Sequence, residues 1–231
     1  MTYELISFDL DGTLVDTASE IAEAANLALD AHGIQRRPVA EITLLIGAGT
    51  RELMRKLLAR CFLEQPALAA RVRPDDVLAS MDRHYAITTG TSALPYAGCH
   101  EALADIKAVG VRLACVTNKE LRHARRVLEA VRLQGYFDLV IGGDSLAEKK
   151  PHRSVLEHVM RTLGVRAERS AHVGDSSIDI EAARNAGVAA WAVPYGYNAG
   201  TPIEQARPDR LFQTLPEVAA HVLSGRAAAL A

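Results

Sequence analysis

The sequence predicts an α/β fold, a doubly wound parallel sheet with a helical segment inserted after its first strand. Three observations carry this. Five short apolar runs are nearly continuous rather than alternating, the pattern of parallel strands buried on both faces: Leu5–Leu10, Val111–Thr117, Leu139–Gly142, Ala171–Gly174 and Ala189–Val193. Helical patterns separate the later runs, and strand–helix alternation builds a parallel sheet covered on both sides. Between the first run and the second, residues 17–89 carry helical spacing and no convincing strand.

The first run ends in Asp9 and Asp11, followed at once by Gly12-Thr13. Residues i and i+2 of a strand share a face, and two like charges held that close repel unless a cation or a reacting group sits between them. In the segment that follows, Ile21, Ala25 and Ala28 and then Leu53, Leu57 and Leu58 repeat with helical spacing. Ala67–Val72 and Asp75–Tyr85 also read as helices, with Pro66 and Pro74 marking their boundaries. The simplest division is an α/β core of residues 1–16 and 90–231 and a helical cap of residues 17–89 over the strand ends; the alternative is a long helical crossover packed on the sheet. Helices are expected at Gly98–Val109, Leu121–Val131, Ser154–Leu163 and Ile178–Ala186, with Gly110, Gly164 and Gly187 placed to terminate three of them. Gly225 to Ala231 form a small-residue tail expected to fray.

Composition excludes several classes of function. The 231 residues exceed one average domain, and 49% hydrophobic with 23% charged residues is ordinary for a globular chain. A net charge of −2 suggests neither nucleic acid nor an acidic membrane as partner. Three cysteines, Cys61, Cys99 and Cys115, with no CxxC, read as reduced thiols of a cytoplasmic chain. Glu4 and the lack of a basic n-region argue against a signal peptide, and no apolar run reaches the roughly 18 residues of a membrane span.

Four polar groups lie at or just past expected strand ends: Asp9 with Asp11, Thr117-Asn118, Lys150-Pro151, and Gly174-Asp175-Ser176-Ser177-Ile178-Asp179. In a parallel sheet all four converge on the carboxyl edge, where such folds bind ligands. Carboxylates without His or Cys favour a hard cation, Mg²⁺, over zinc. A lysine and a threonine hydroxyl beside it suit a phosphoryl group, whose charge must be neutralised on several oxygens at once. A carboxylate can attack phosphorus to form an aspartyl-phosphate, and a second carboxylate can protonate the leaving alcohol and then activate water.

These four motifs, in this order, resemble those of the haloacid dehalogenase superfamily, a Rossmann-type core whose C1-type cap is a helical insertion after the first motif. Ile46-Gly47-Ala48-Gly49, Val116-Thr117-Asn118-Lys119, Gly142-Gly143-Asp144, Lys149-Lys150-Pro151-His152 and Tyr195-Gly196-Tyr197-Asn198 with Pro202-Ile203 are similar to its phosphoglycolate phosphatase branch. The resemblance implies a Mg²⁺-dependent phosphatase for a small phosphorylated metabolite, as monomer or homodimer. It makes Asp9 the nucleophile and a metal ligand. Asp11 becomes the acid/base and gives its backbone carbonyl to the metal, and Asp175 is the third protein ligand. Asp179 supports that site. Thr117 and the backbone amide of Asn118 bind the phosphoryl group, which Lys150 neutralises. 2-Phosphoglycolate is the leading substrate; another small sugar, amino-sugar or nucleotide phosphate, or a phosphoglucomutase-type transfer, is the alternative. Two departures are evident: Arg153 replaces the second proline of Lys-Pro-x-Pro, and Gly47-Ala48-Gly49 replaces Gly-Asn-Gly.

Taken singly, each motif has a plainer reading. The Asp pair and Thr117-Asn118 can be helix caps, Lys150 a surface lysine, and Gly174-Asp175 a capped turn. His152 is either near the site or an ordinary loop histidine. Arg51 either grips a substrate carboxylate bidentately or is a solvated helix residue. Order and spacing, rather than any one member, give the set its force.

Overall fold

The structure is a computed structural model that describes residues 2–230, with side chains described as far as Gly225. In chain order the elements are β1 (Leu5–Phe8), β2 (Val15–Asp16), α1 (Ala18–Asp30), α2 (Val39–Thr43), α3 (Thr50–Glu64), α4 (Pro74–Thr88), β3 (Leu94–Pro95), α5 (Cys99–Ala108), β4 (Arg112–Val116), α6 (Leu121–Ala130), β5 (Leu139–Ile141), α7 (Ser154–Leu163), β6 (Ser170–Gly174), α8 (Ser177–Ala186), β7 (Ala189–Ala192), β8 (Arg210–Leu211) and α9 (Leu215–Leu230).

Six strands pair in parallel in the order β5-β4-β1-β6-β7-β8. β1 is central, with later strands laid down on both sides of it, which is the topological switch that opens a crevice at the carboxyl edge. All five expected runs are strands of this sheet. Alternation sends Ile6, Phe8, Leu113 and Cys115 into the cluster under α5, α6 and α9, and Leu5, Ala114 and Val116 into the one under α7 and α8. The registers Phe8↔Cys115 and Phe8↔Val173 bring the ends of β1, β4 and β6 level.

Helices α1 to α4 bury a third cluster, from Ile21 and Ala25 through Leu53, Leu57 and Cys61 to Met81 and Tyr85. The chain enters this layer through β2 and leaves it through β3, an antiparallel pair with Val15 opposite Pro95. The helix expected over Ala67–Val72 is instead a 3₁₀ turn at Pro66–Ala70. A proline at each boundary leaves too little chain for an α-helical ladder. The tail expected to fray from Gly225 continues α9 as far as Leu230; Ala231 lies outside the described residues. Among the described residues no helix is long and apolar enough to cross a membrane, and all three cysteines are buried and free.

His123 of α6 packs on Tyr85 with ring centroids 4.5 Å apart and meets Thr89 Oγ1 at 3.1 Å. Burial, with help from Arg122 and Lys119, lowers its pKa from 6.5 to about 4. A histidine harder to protonate folded than unfolded favours folding above pH 6.5 and loses that advantage as pH falls toward 4. The acid-induced loss of urea stability between those pH values should therefore be shallower in His123→Gln, by on the order of 1–2 kcal/mol after solvent screening. Equal slopes would show that His123 is not held neutral.

Candidate active site

Asp9 follows β1 and keeps the sheet's pattern for one more residue, its N–H donating to Val173 O at 2.9 Å. The chain then turns tightly: the N–H groups of Leu14 and Val15 both donate to Leu10 O at 3.0 Å. Gly12 stands in this turn at φ +85°, where a Cβ would lie 2.5 Å from Asp175 Oδ2, so only glycine lets the turn close on the site. Gly196 also abuts Asp175; a Cβ there would lie 2.3 Å from the same oxygen.

The expected site residues converge. Asp9, Asp175 and Asp179 are buried, and each offers a carboxylate oxygen within 4.8 Å of the others. Lys150 Nζ lies 2.9 Å from Asp9 Oδ1 and 2.7 Å from Asp179 Oδ1. Burial pushes Asp9 up to about 7, against the pull of Lys150 and with the push of Asp179 and Asp11. Burial also raises Asp175 well above the carboxylate range, reinforced by Asp179 and Asp9. Asp179 behaves oppositely. Burial alone would raise it, but Lys150 and the bond from His172 hold it well below the usual range. Asp179 also closes a capping box at the start of α8, accepting from Ser176 N at 3.1 Å and Ser176 Oγ at 2.6 Å. Lys150 stays charged although buried, because Asp179 and Asp9 outweigh the desolvation.

Asp175 accepts from Thr13 Oγ1 at 2.8 Å and from Tyr197 N at 2.5 Å. Asp11 turns toward β4: its Oδ1 accepts from Lys119 Nζ at 2.6 Å and Thr17 Oγ1 at 2.5 Å. Thr117 is buried beside them and accepts from Lys119 N at 3.2 Å. The Asn118 amide bridges two loops, donating to Gly47 O at 3.1 Å and Lys150 O at 3.0 Å. A narrow pocket opens over Asp9, Asp11, Thr117, Asn118 and Lys119, roofed by Ile21, Ile46 and Leu53.

Several participants escaped the reading of the sequence. Lys119 is buried, and its charge is kept against desolvation chiefly by Asp11, then by Tyr85 and Glu20. Glu20 is buried too and accepts from Gly90 N at 2.8 Å, tying α1 to the exit of the helical layer. Tyr197 OH accepts from the N–H groups of Thr17 and Ala18 and donates to Asp16, tying the site loop to the entrance. His172 sits between Ser7 Oγ at 2.9 Å and Asp179 Oδ1 at 3.3 Å. Lys119 and Tyr197 lie within stretches whose pattern was already conspicuous; Glu20 and His172 had no distinguishing neighbour. His152 lies outside the site against Ser154, and Arg51 is solvated, facing Asp82 at 3.5 Å.

A carboxylate edge of this kind on a doubly wound sheet has a counterpart among known families. The model of the haloacid dehalogenase-like hydrolases matches residues 6–193, which span the four motifs from Asp9 to Asp179. The chain belongs to this family. It is an enzyme, a hydrolase of the phosphatase kind. The chain is 40% identical over 192 residues to the plasmid phosphoglycolate phosphatase of Cupriavidus necator, covering 83% of this chain and 81% of that one. It is 37% identical over 214 residues to the phosphoglycolate phosphatase of Nitrosospira multiformis, covering 92% of each. Among solved structures it is similar to a predicted phosphoglycolate phosphatase from Haemophilus somnus 129PT. The TM-score is 0.87 at 31% identity, over 94% of this chain and 97% of the other. CbbY from Rhodobacter sphaeroides, solved in complex with phosphate, superposes with a TM-score of 0.76 at 25% identity, over 94% of this chain and 96% of that one.

Proposed function

We propose that this haloacid dehalogenase-like hydrolase is a Mg²⁺-dependent phosphate monoesterase that works through an aspartyl-phosphate on Asp9, with 2-phosphoglycolate as its substrate. The observation that carries the reading is the meeting of one nucleophilic carboxylate, one buried ammonium and a second carboxylate on a single strand edge. Asp9 Oδ1 lies 2.9 Å from Lys150, with Asp11 two residues further on. The names of the relatives support the choice of substrate.

The donor set suits a hard cation. Asp9 and Asp175 are oxygen donors, and both are pushed toward protonation by burial, so an added positive charge is favoured there. Apart from the ammonium of Lys150, no group among the described residues bonds Asp9 Oδ1. Asp9, Asp175 and the Asp11 carbonyl would hold Mg²⁺, while the carboxylate oxygens of Asp179 are engaged by Lys150, His172 and Ser176. Bound there, the cation would supply the charge that keeps Asp9 ionised and lets it approach an anionic phosphoryl group.

An Asp9 oxygen attacks phosphorus in line, forming the acyl-phosphate bond as the ester P–O bond breaks. Asp11 gives its proton to the leaving alkoxide. Water then attacks the aspartyl-phosphate, Asp11 takes the proton from it, and phosphate and free Asp9 result. Lys150 and the Thr117 hydroxyl offset charge on the equatorial oxygens. Residues 17–89 act as a cap that opens for substrate and closes to exclude water. Bonds from Asn118 Nδ2 to Gly47 O and from Lys149 Nζ to Ala48 O support this, because they latch the roof loop onto the core.

Phosphate release measured across a panel of monoesters should give 2-phosphoglycolate the highest kcat/KM. A chelator should stop the reaction, and added Mg²⁺ should restore it. Unchanged rates after chelation would overturn the metal role, and isomer formation without phosphate release would point to a mutase.

A further inference from the structure

We infer that Lys119 is the specificity residue of this site, its buried ammonium binding a carboxylate on the leaving group. The inference rests on the phosphatase reading, because it takes Asp11 as the donor to the leaving oxygen. A proton donor must come within about 2.6–3.2 Å of the oxygen it serves. Lys119 Nζ is itself 2.6 Å from Asp11 Oδ1 and lines the same pocket. The ammonium therefore stands on the leaving-group side of the phosphoryl site. In 2-phosphoglycolate the carboxylate lies one carbon beyond the leaving oxygen, within reach of that ammonium.

The other cations near the site do not line this pocket. Lys150 is paired with Asp9 and Asp179, Lys149 donates to Ala48 O, and Arg51 faces Asp82 in solvent. Among the described residues lining the pocket, Lys119 is the one cation. Much of the remaining lining is apolar, with Ile21, Ile46 and Leu53, and a carboxylate buried against these side chains without a partner would be strongly disfavoured. An ammonium has three donors; Asp11 takes one, and Tyr85 and Glu20 help hold the charge from outside the pocket lining. The backbone of Lys119 is fixed at its root by the bond to Thr117 Oγ1, so the reading group is anchored to the residue beside the phosphoryl site.

The test compares 2-phosphoglycolate with ethyl phosphate, which has the same two carbons and no carboxylate. In Lys119→Gln, which keeps a donor for Asp11 but no charge, the ratio of the two kcat/KM values should fall at least about 10-fold from wild type. An equal fall on both esters would overturn the inference and leave Lys119 a support for Asp11. Should Lys119→Gln not fold, the wild type decides with a third ester, phosphoethanolamine. The order carboxylate, neutral, ammonium supports the inference, and equal rates on the first two overturn it. A different carboxylate-bearing ester winning the panel would refute 2-phosphoglycolate as substrate while leaving Lys119 in place. No turnover of any monoester would remove both.

Discussion

Asp9→Asn should lower kcat by about 10⁴-fold or more without unfolding the protein, because no other group at the edge can take over the attack on phosphorus. Asparagine has nearly the same shape and keeps an oxygen facing the site, so the loss is chemical rather than steric. The stability of the metal-free variant sharpens the test. Burial holds the Asp9 carboxyl at about 7 in the folded chain, well above its ordinary 3.8. An acid raised in this way destabilises the fold at any pH above its unfolded value, and most where it is forced to ionise. Removing it should leave metal-free Asp9→Asn melting no lower than wild type at pH 8, and higher if Asp9 is strained by its neighbours. A site that costs stability and supplies activity is the expected trade. Burst release of product with no phosphate in the variant, or activity near wild type, would refute Asp9 as nucleophile.

Lys150→Met should cost both activity and stability. The ammonium is buried between Asp9 at 2.9 Å and Asp179 at 2.7 Å, and methionine fills the space without the charge. Breaking a buried ion pair from one side costs about 3–5 kcal/mol, since the partner charges stay behind unpaired. For a chain of this length that is roughly a 6–20 °C fall in Tm near neutral pH. Asp179 is held below the ordinary carboxylate range mainly by this lysine, so its contribution is present above pH 3.8 and is lost below. The gap between wild type and variant should thus be widest at neutral pH and narrow as the carboxylates protonate in acid. kcat/KM should fall about 10²–10³-fold through the loss of charge stabilisation on the phosphoryl oxygens. A variant with wild-type Tm and a similar rate would show Lys150 to be a bystander.

Much of this site was readable because its parts sit where local pattern changes abruptly. Asp9, Thr117 and Asp175 each end a buried strand or follow it directly, and a polar residue straight after a continuous apolar run stands out. The short ribbon of β2 and β3 did not, since two residues each show no periodicity and the pairing joins Val15 to Pro95 across the whole helical layer. Glu20 reads as one more acid on an amphipathic helix; only the fold turns it inward to cap Gly90. The 3₁₀ turn at Pro66–Ala70 had the composition of a helix, and the flanking prolines decided otherwise.

The order of motifs along the chain determined by itself the doubly wound sheet, the helical insertion and the identity of Asp9, Asp11, Thr117, Lys150, Asp175 and Asp179 as one set. Each of those inferences needs only period and position, which are properties of neighbouring residues. The partnership of Lys119 with Asp11 was decided by the tertiary structure alone. The two residues lie 108 positions apart, and their charges meet at 2.6 Å only because β1 and β4 pair in the register that sets Phe8 beside Cys115. Burial then makes that meeting matter, since an ammonium of this kind in water would be one surface lysine among many.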